Sequence, residues 1–270
     1  MPEEPLQQRK IANALAGQQV GAEVQVHEEV VSTNDTVRAL GLGGFPHGLV
    51  VLAETQTGGR GRRGSRWESP ARKNLLFSLL LRPSTGREDW GKITPLAAMA
   101  ICRAIATITG AEAEIKWPND VFVGGKKIAG ILAETVSKGD QSDSFIALGM
   151  GINVNSDEED FSPELRNEAT SMVLETPGAD ENTRIDRNEL AIALLRHLNT
   201  LLPLAGAGFA SVFEEMRSRS MLLGKTVKLE IDGEEIRGIA EDFTELGHLS
   251  LRMPDGSVRV CSSANLVRLV

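Results

Sequence analysis

Four arginines alternate with glycines in the segment Gln56-Thr57-Gly58-Gly59-Arg60-Gly61-Arg62-Arg63-Gly64-Ser65-Arg66-Trp67, inside a 270-residue chain whose formal charge is −8. A cationic stretch on an acidic background marks a local anion site. Guanidinium forks match phosphate oxygens bidentately, while glycines let backbone N–H groups approach the same anion and let a loop close after it arrives. A flexible solvated loop or a nucleic-acid patch would share this composition. There is no GxxxxGK[ST], so the segment is not a Walker A loop.

Three further segments carry chemistry. In Lys116-Trp117-Pro118-Asn119-Asp120 the proline must end a strand, because it has no N–H to donate. Asn119 and Asp120 then emerge at a turn, as plain turn formers or, beside a triphosphate, as a carboxylate able to hold Mg²⁺ directly or through water. In Gly125-Lys126-Lys127-Ile128-Ala129-Gly130-Ile131-Leu132 a lysine leads an apolar strand, either snorkelling at an edge or pointing a cation into a cleft. Gly149-Met150-Gly151-Ile152-Asn153-Val154-Asn155 places glycines inside a strand, which weakens packing unless something approaches the backbone closely. Asn153 is then expected to face that visitor.

Composition excludes several classes. The acidic balance, with a pI near 5.2, makes the surface as a whole repel nucleic acid and anionic lipid. A nucleic-acid binder would show a broad basic face with interleaved aromatics, and this chain contains no tyrosine. Cys102 and Cys261 are far apart and form no CxxC, so both read as small core residues. His27, His47, His197 and His248 lack the spacing that a metal site needs. No basic n-region leads into an apolar run near the N-terminus, and no later run reads as a bilayer span. The expectation is a cytoplasmic protein with neither nucleic acid nor membrane as partner.

The elements that must position these segments read as α+β. A short helix is expected over 6–17 and a strand from Ala22 towards Val31. Ser32, Thr33 and Asn34 offer N-cap side chains for a helix through Leu40, with Asp35 in its first turn. Strands are expected over His47–Glu54 and Leu75–Arg82. Thr94 and Pro95 look like the cap and first residue of an almost wholly apolar, buried helix closed by Gly110. Strands Ala113–Trp117, Val121–Val123, Lys127–Thr135 and Phe145–Val154 follow, with Gly124-Gly125 as a hairpin turn. Asp186 and Glu189 resemble a capping box before an amphipathic helix, and a second helix spans Phe209–Arg217. After Met221 short strands alternate with turns at Asp232-Gly233 and Asp255-Gly256. The division expected is a mixed-sheet domain over 1–220 and a small β-barrel over 221–270, with too few residues before 22 for an added DNA-binding unit.

Taken together and in this order, GRGRRGSRW, KWPND, GGKKIAGIL, GMGINVN and the earlier STN resemble the biotin protein ligases, over residues 24–270. The resemblance implies a mixed sheet flanked by helices, related to lipoate ligases and class II aminoacyl-tRNA synthetases, followed by an SH3-like barrel. The short N-terminus is similar to monofunctional members without a DNA-binding domain. The implied activity is ATP- and Mg²⁺-dependent formation of biotinyl-5'-adenylate, then transfer of biotin to a lysine of a biotin carboxyl carrier protein. By the same resemblance Ser32, Thr33, Asn34 and Gln56 contact the biotin head, and Arg60, Gly61 and Arg62 close over biotin and adenylate. Lys127 meets the biotin carboxylate and the α-phosphate, with Gly130 lining the slot. Trp67 stacks on adenine, Asn119, Asp120 and Asn153 serve the nucleotide and metal, and Arg268 reaches the nucleotide. Lys127, Arg60, Arg62 and Asp120 form the implied catalytic set. Ser65 departs from the family's commoner basic residue. A lipoate or octanoate ligase of the same fold is the nearest alternative, and a homodimer is plausible because most soluble oligomers are symmetric dimers.

Overall fold

Apolar alternation on both sides of one sheet organises the first 220 residues. The computed structural model describes residues 4–138, 140–180, 182–231, 233–264 and 266–270. Strands β1 (Val24–Val30), β2 (Val50–Gln56), β3 (Leu75–Leu81), β4 (Glu114–Lys116), β5 (Asp120–Val123), β6 (Lys126–Lys138) and β7 (Asp140–Ile152) form a seven-stranded sheet in the order β1-β2-β3-β7-β6-β5-β4. β1 and β2 run parallel and the remaining neighbours antiparallel, which is the expected mixed sheet.

Period 2 along β2 sends Val50 and Leu52 to one face and Val51 to the other. On the first face lie α1 (Gln8–Ala14), α3 (Ile93–Thr109) and α4 (Arg187–Leu201). On the second lies α2 (Thr33–Leu42), whose Val37 packs with Val51, Leu80 and Phe145. The site sits at the N-terminal end of α2, so this second, smaller layer positions it.

α3 begins two residues earlier than expected. It continues directly from a 3₁₀ turn over Arg87–Lys92, with Lys92 rather than Thr94 at the cap, and it ends as expected at left-handed Gly110. The preceding turn already supplies the geometry a side-chain cap would have given. The helical run Arg87–Thr109 is long and apolar enough to cross a membrane, contrary to the sequence expectation, but 67% of the 18-residue stretch that meets this measure is buried within the protein. At α4, Asp186 accepts from the N–H groups of Asn188 (2.7 Å) and Glu189 (3.3 Å). Arg187 beside it is fully buried against Glu54 at 2.6 Å, and the other Glu54 oxygen accepts from the Leu6 N–H at 2.7 Å. That pair ties the chain's first described residues to β2.

The expected helix over Phe209–Arg217 is a 3₁₀ turn over Phe209–Val212 leading into α5 (Phe213–Ser218). Beyond it, β8 (Thr226–Ile231), β9 (Glu234–Phe243), β10 (Leu249–Arg252), β11 (Val258–Cys261) and β12 (Leu266–Leu269) form a five-stranded antiparallel sheet, ordered β11-β10-β9-β8-β12. β12 was not expected. Asp232, expected at a hairpin turn, lies outside the described residues, whereas Gly233 and Gly256 have the positive φ such turns need. The two sheets share one continuous apolar cluster, in which Leu222, Leu229 and Phe243 join Ile115 and α3. Trp117 Nε1 donates to the Gly247 carbonyl at 3.2 Å, and Arg217 forks onto Asp242 at 2.6 and 2.7 Å.

Candidate active site

A cleft of about 280 Å³ opens over the sheet surface. The N-terminus of α2, the end of β2, the arginine-glycine loop, the β4–β5 turn, β6 and β7 all reach it. Of the expected residues, Ser32, Thr33, Asn34, Gln56, Arg60, Gly61, Arg62, Trp67, Asn119, Asp120, Lys127 and Gly130 line it. Asn153 and Arg268 do not. A larger cavity of about 490 Å³, between His47, Leu81, Ile93 and Leu198, contains none of the expected residues.

One end of the cleft is a neutral polar network. Gln56 Oε1 accepts from the Thr33 N–H (2.7 Å) and hydroxyl (3.1 Å). The Ser78 hydroxyl on β3 lies 2.7 Å from both Thr33 Oγ1 and Asn34 Oδ1, and its single proton serves one at a time. Ser32, Thr33 and Asn34 are buried although they start a helix, and Ser32 makes no side-chain cap. Their side chains are therefore turned to the cleft rather than spent on capping, which the sequence alone could not decide. Ser78 escaped the sequence reading because it sits inside the apolar run Leu75–Leu81.

The arginine-glycine segment is folded, not slack. Gly61 N–H donates to Ser65 O at 2.7 Å and Trp67 N–H to Gly59 O at 3.0 Å, so residues 59–67 make a small hairpin around a turn at Arg62–Gly64. Ser65 has its own part here: its hydroxyl closes the turn on Arg62 O at 2.9 Å, and a Cβ on Gly61 would lie 2.3 Å from it. All four of its arginines border the cleft, Arg62 half-buried and Arg60, Arg63 and Arg66 exposed. Arg62 Nη1 donates to Asn119 Oδ1 at 3.1 Å, and Arg60 reaches Asp35 and Glu134. Burial lowers the Arg62 pKa, neighbouring Arg63 lowers it further and Asp120 opposes this. Desolvation is also the main cause that lowers Lys116 on the same wall; Asp120 opposes it while Lys127 and Arg268 add to it. An arriving anion would relieve both.

Lys127 is the cation best placed at the centre. Its ammonium lies 2.7 Å from Asp120 and 5.8 Å from the centre of the Trp67 ring. Its backbone is clamped by a segment not expected to matter: Lys127 N–H donates to Glu168 O at 2.7 Å and Thr170 N–H to Lys127 O at 2.9 Å. Asn153 belongs to this support. Instead of facing a ligand, its carboxamide donates to Thr170 O at 2.9 Å, and its own carbonyl accepts from Met172 N–H at 3.0 Å. The visitors that the strand glycines admit are side chains of this chain. A Cβ on Gly149 would lie 2.3 Å from Asn34 Oδ1, and one on Gly151 2.4 Å from Trp67 Cε2. Ala264, between β11 and β12, and Val267 on β12 add to the wall, while Arg268, next along β12, is exposed.

A polar recess, several cations and an indole share this cleft on one sheet surface, and residues 26–153 match the biotin/lipoate A/B protein ligase family. Over 98% of this chain and 96% of the relative, the sequence is 32% identical to the biotin–[acetyl-CoA-carboxylase] ligase of Mycobacterium tuberculosis. The structure is similar to the biotin protein ligase of Aquifex aeolicus in complex with biotin and ATP, at a TM-score of 0.79 and 28% identity over 92% and 99% of the two chains. It is also similar to the Leishmania major biotin protein ligase in complex with biotinyl-5-AMP, at 0.57 and 26% over 89% and 99%. The chain belongs to the biotin protein ligases.

Proposed function

We propose that this chain activates biotin with ATP as biotinyl-5'-adenylate and transfers the biotinyl group to a lysine of a biotin carboxyl carrier protein or domain. The observation that carries this reading is the gathering of Lys127, Arg60 and Arg62, from separate segments, around a cleft whose far end is the Thr33–Asn34–Gln56 network. That network supplies fixed donors and acceptors for a neutral, amide-like ring head. The cations then sit where a carboxylate and an α-phosphate must meet.

Two anions resist that approach. Lys127 and the loop arginines lower the repulsion and stabilise charge on the phosphoryl oxygens, so no protein nucleophile is required. Trp67, against Gly130 and Gly151 on the sheet, offers its indole to adenine, and Arg268, exposed on β12 beside the wall residue Val267, would have to turn inward to reach the nucleotide. Among the described residues no three carboxylate, imidazole or thiol groups cluster. Mg²⁺ would be held by Asp120, with Asn119 beside it, together with water and substrate phosphates, which is how this ion is commonly bound. When bound it neutralises phosphate charge. The mixed anhydride is hydrolysable, so the folded hairpin serves to keep water out. The acceptor lysine, with an ordinary pKa of about 10.4, must give up a proton before it attacks, and Asp120 is the carboxylate at hand once Lys127 turns to the adenylate.

The same reading divides the chain at 220/221 and takes the C-terminal sheet as an SH3-like β-barrel beside a catalytic fold of the class II aminoacyl-tRNA synthetase type. It places the protein in the cytoplasm, with a second copy as a further partner through the edge strand β1. The test is pyrophosphate exchange into ATP driven by biotin and, in parallel, by lipoate. Exchange with biotin alone is expected. Exchange with lipoate alone would move the assignment to the lipoate ligases.

A further inference from the structure

We infer that Glu134 is a positioning residue: its carboxylate, with that of Asp35, latches the arginine-glycine hairpin onto the Asn34 end of the cleft. The inference rests on the proposed function for its consequence, but not for its geometry. Glu134 Oε2 accepts from Asn34 Nδ2 at 2.7 Å and from Arg60 Nη2 at 3.2 Å, and the same Nη2 lies 2.7 Å from Asp35 Oδ1. One carboxylate oxygen thus joins a residue of the polar recess to a residue of the hairpin. Neither partner is near in sequence, Asn34 standing 100 positions away and Arg60 74.

Three features make this a latch and not an incidental surface pair. Asn34 cannot drift, because its Oδ1 is held by Ser78 and its Nδ2 also reaches Leu132 O at 3.3 Å. Gly149, which admits Asn34 only because it lacks a Cβ, fixes the depth of that side chain. Asp35 is the next residue along α2. The hairpin is therefore anchored to a rigid point through a charge that solvent still reaches, with side-chain exposures of 40% for Arg60, 36% for Glu134 and 42% for Asp35. Partly exposed ion pairs are weak and screened by salt. Such a contact holds the loop closed over a bound molecule and still lets it open. A ligand that draws on Asn34 also alters the acceptor shared with Arg60, so occupancy of the recess is transmitted to the hairpin.

The decisive variants are Glu134→Gln and Asp35→Asn. The first keeps an acceptor for Asn34 and removes only the charge. Two measurements are made. Amide hydrogen exchange over residues 57–67 of the free protein reads the latch without any ligand, and stopped-flow release of biotinyl-5'-adenylate reads its consequence. Each variant is expected to speed exchange in the hairpin and release of the adenylate by about fivefold, the worth of a partly exposed charge pair. The double variant should exceed either single, since each single leaves the other carboxylate on the shared guanidinium nitrogen. Wild-type release should quicken with ionic strength, that of each single variant less so, and that of the double variant not at all. A purely structural Glu134 would leave the salt dependence unchanged. Unaltered hairpin exchange in both variants overturns the latch, whatever the adenylate does. Failure of the wild-type protein to form adenylate overturns the proposed function instead, and the exchange experiment still decides the latch.

Discussion

Adding one methyl group at Gly151 should damage nucleotide binding while sparing biotin binding, and the same change at Gly149 should do the reverse. The two glycines lie two residues apart on β7 and so face the same side of the sheet. A Cβ at Gly151 would sit 2.4, 2.7 and 2.8 Å from Trp67 Cε2, Nε1 and Cζ2. Carbon contacts settle at about 3.5–4.0 Å, so the indole must rise by roughly an ångström. It is a rigid ring whose backbone is bonded to Gly59, hence the hairpin must move with it. At Gly149 the clash, 2.3 Å, is with Asn34 Oδ1, which Ser78 holds. Overpacking of this kind costs about 1–3 kcal/mol. Expressed wholly in binding, that is about fivefold to 150-fold in affinity. The assay is biotin-dependent pyrophosphate exchange with each substrate varied in turn, with thermal melts to show that both variants fold. Gly151→Ala should raise KM for ATP and Gly149→Ala KM for biotin. Equal effects on both substrates, or an unchanged ATP dependence in Gly151→Ala, would refute the reasoning that these glycines exist to seat Trp67 and Asn34.

Other outcomes follow from the same geometry. Arg62→Gly should release biotinyl-adenylate faster and increase labelling of lysines on bystander proteins, as read by a quench assay and blotting; unchanged retention would remove Arg62 from the closing loop. Asn153→Ala should lower kcat for exchange more than it raises KM for ATP, because the residue acts through Thr170 on the Lys127 backbone and not on a ligand; a pure KM effect would restore it to nucleotide binding. Arg187→Ala should destabilise the fold by about 3–5 kcal/mol in urea unfolding, since it strands the buried Glu54 carboxylate. A loss below about 1 kcal/mol would mean that water reaches Glu54.

The local motifs made much of the site legible. An arginine-glycine run in an acidic chain, a strand ended by Pro118 just before Asn119 and a lysine heading an apolar strand each left a cleft open as one reading beside a plainer one, and the structure brings them together. What was hidden depends on distant partners. Nothing near Glu134 in the sequence announces Asn34 or Arg60, and Ser78 looks like one polar residue in a buried strand. The glycines of β7 signalled a close approach correctly, but their visitors are Trp67 and Asn34, whereas Asn153 turns away to hold a loop. That loop, around Glu168–Thr170, has no periodicity to read and works through backbone hydrogen bonds that any residue could make. β12 escaped for a related reason: it is only four residues long, with its register set by pairing to β8.

The central claim is that cations from separate segments enclose one phosphorylated intermediate. The most direct measurement is a crystal structure of the protein with a non-hydrolysable biotinyl-5'-adenylate analogue. The account predicts the ring head against Thr33, Asn34 and Gln56, and the phosphate within hydrogen-bond reach of Lys127 and at least one of Arg60 and Arg62. An analogue bound with its phosphate turned to solvent, and with Lys127 and Arg62 still paired to Asp120 and Asn119, would contradict it.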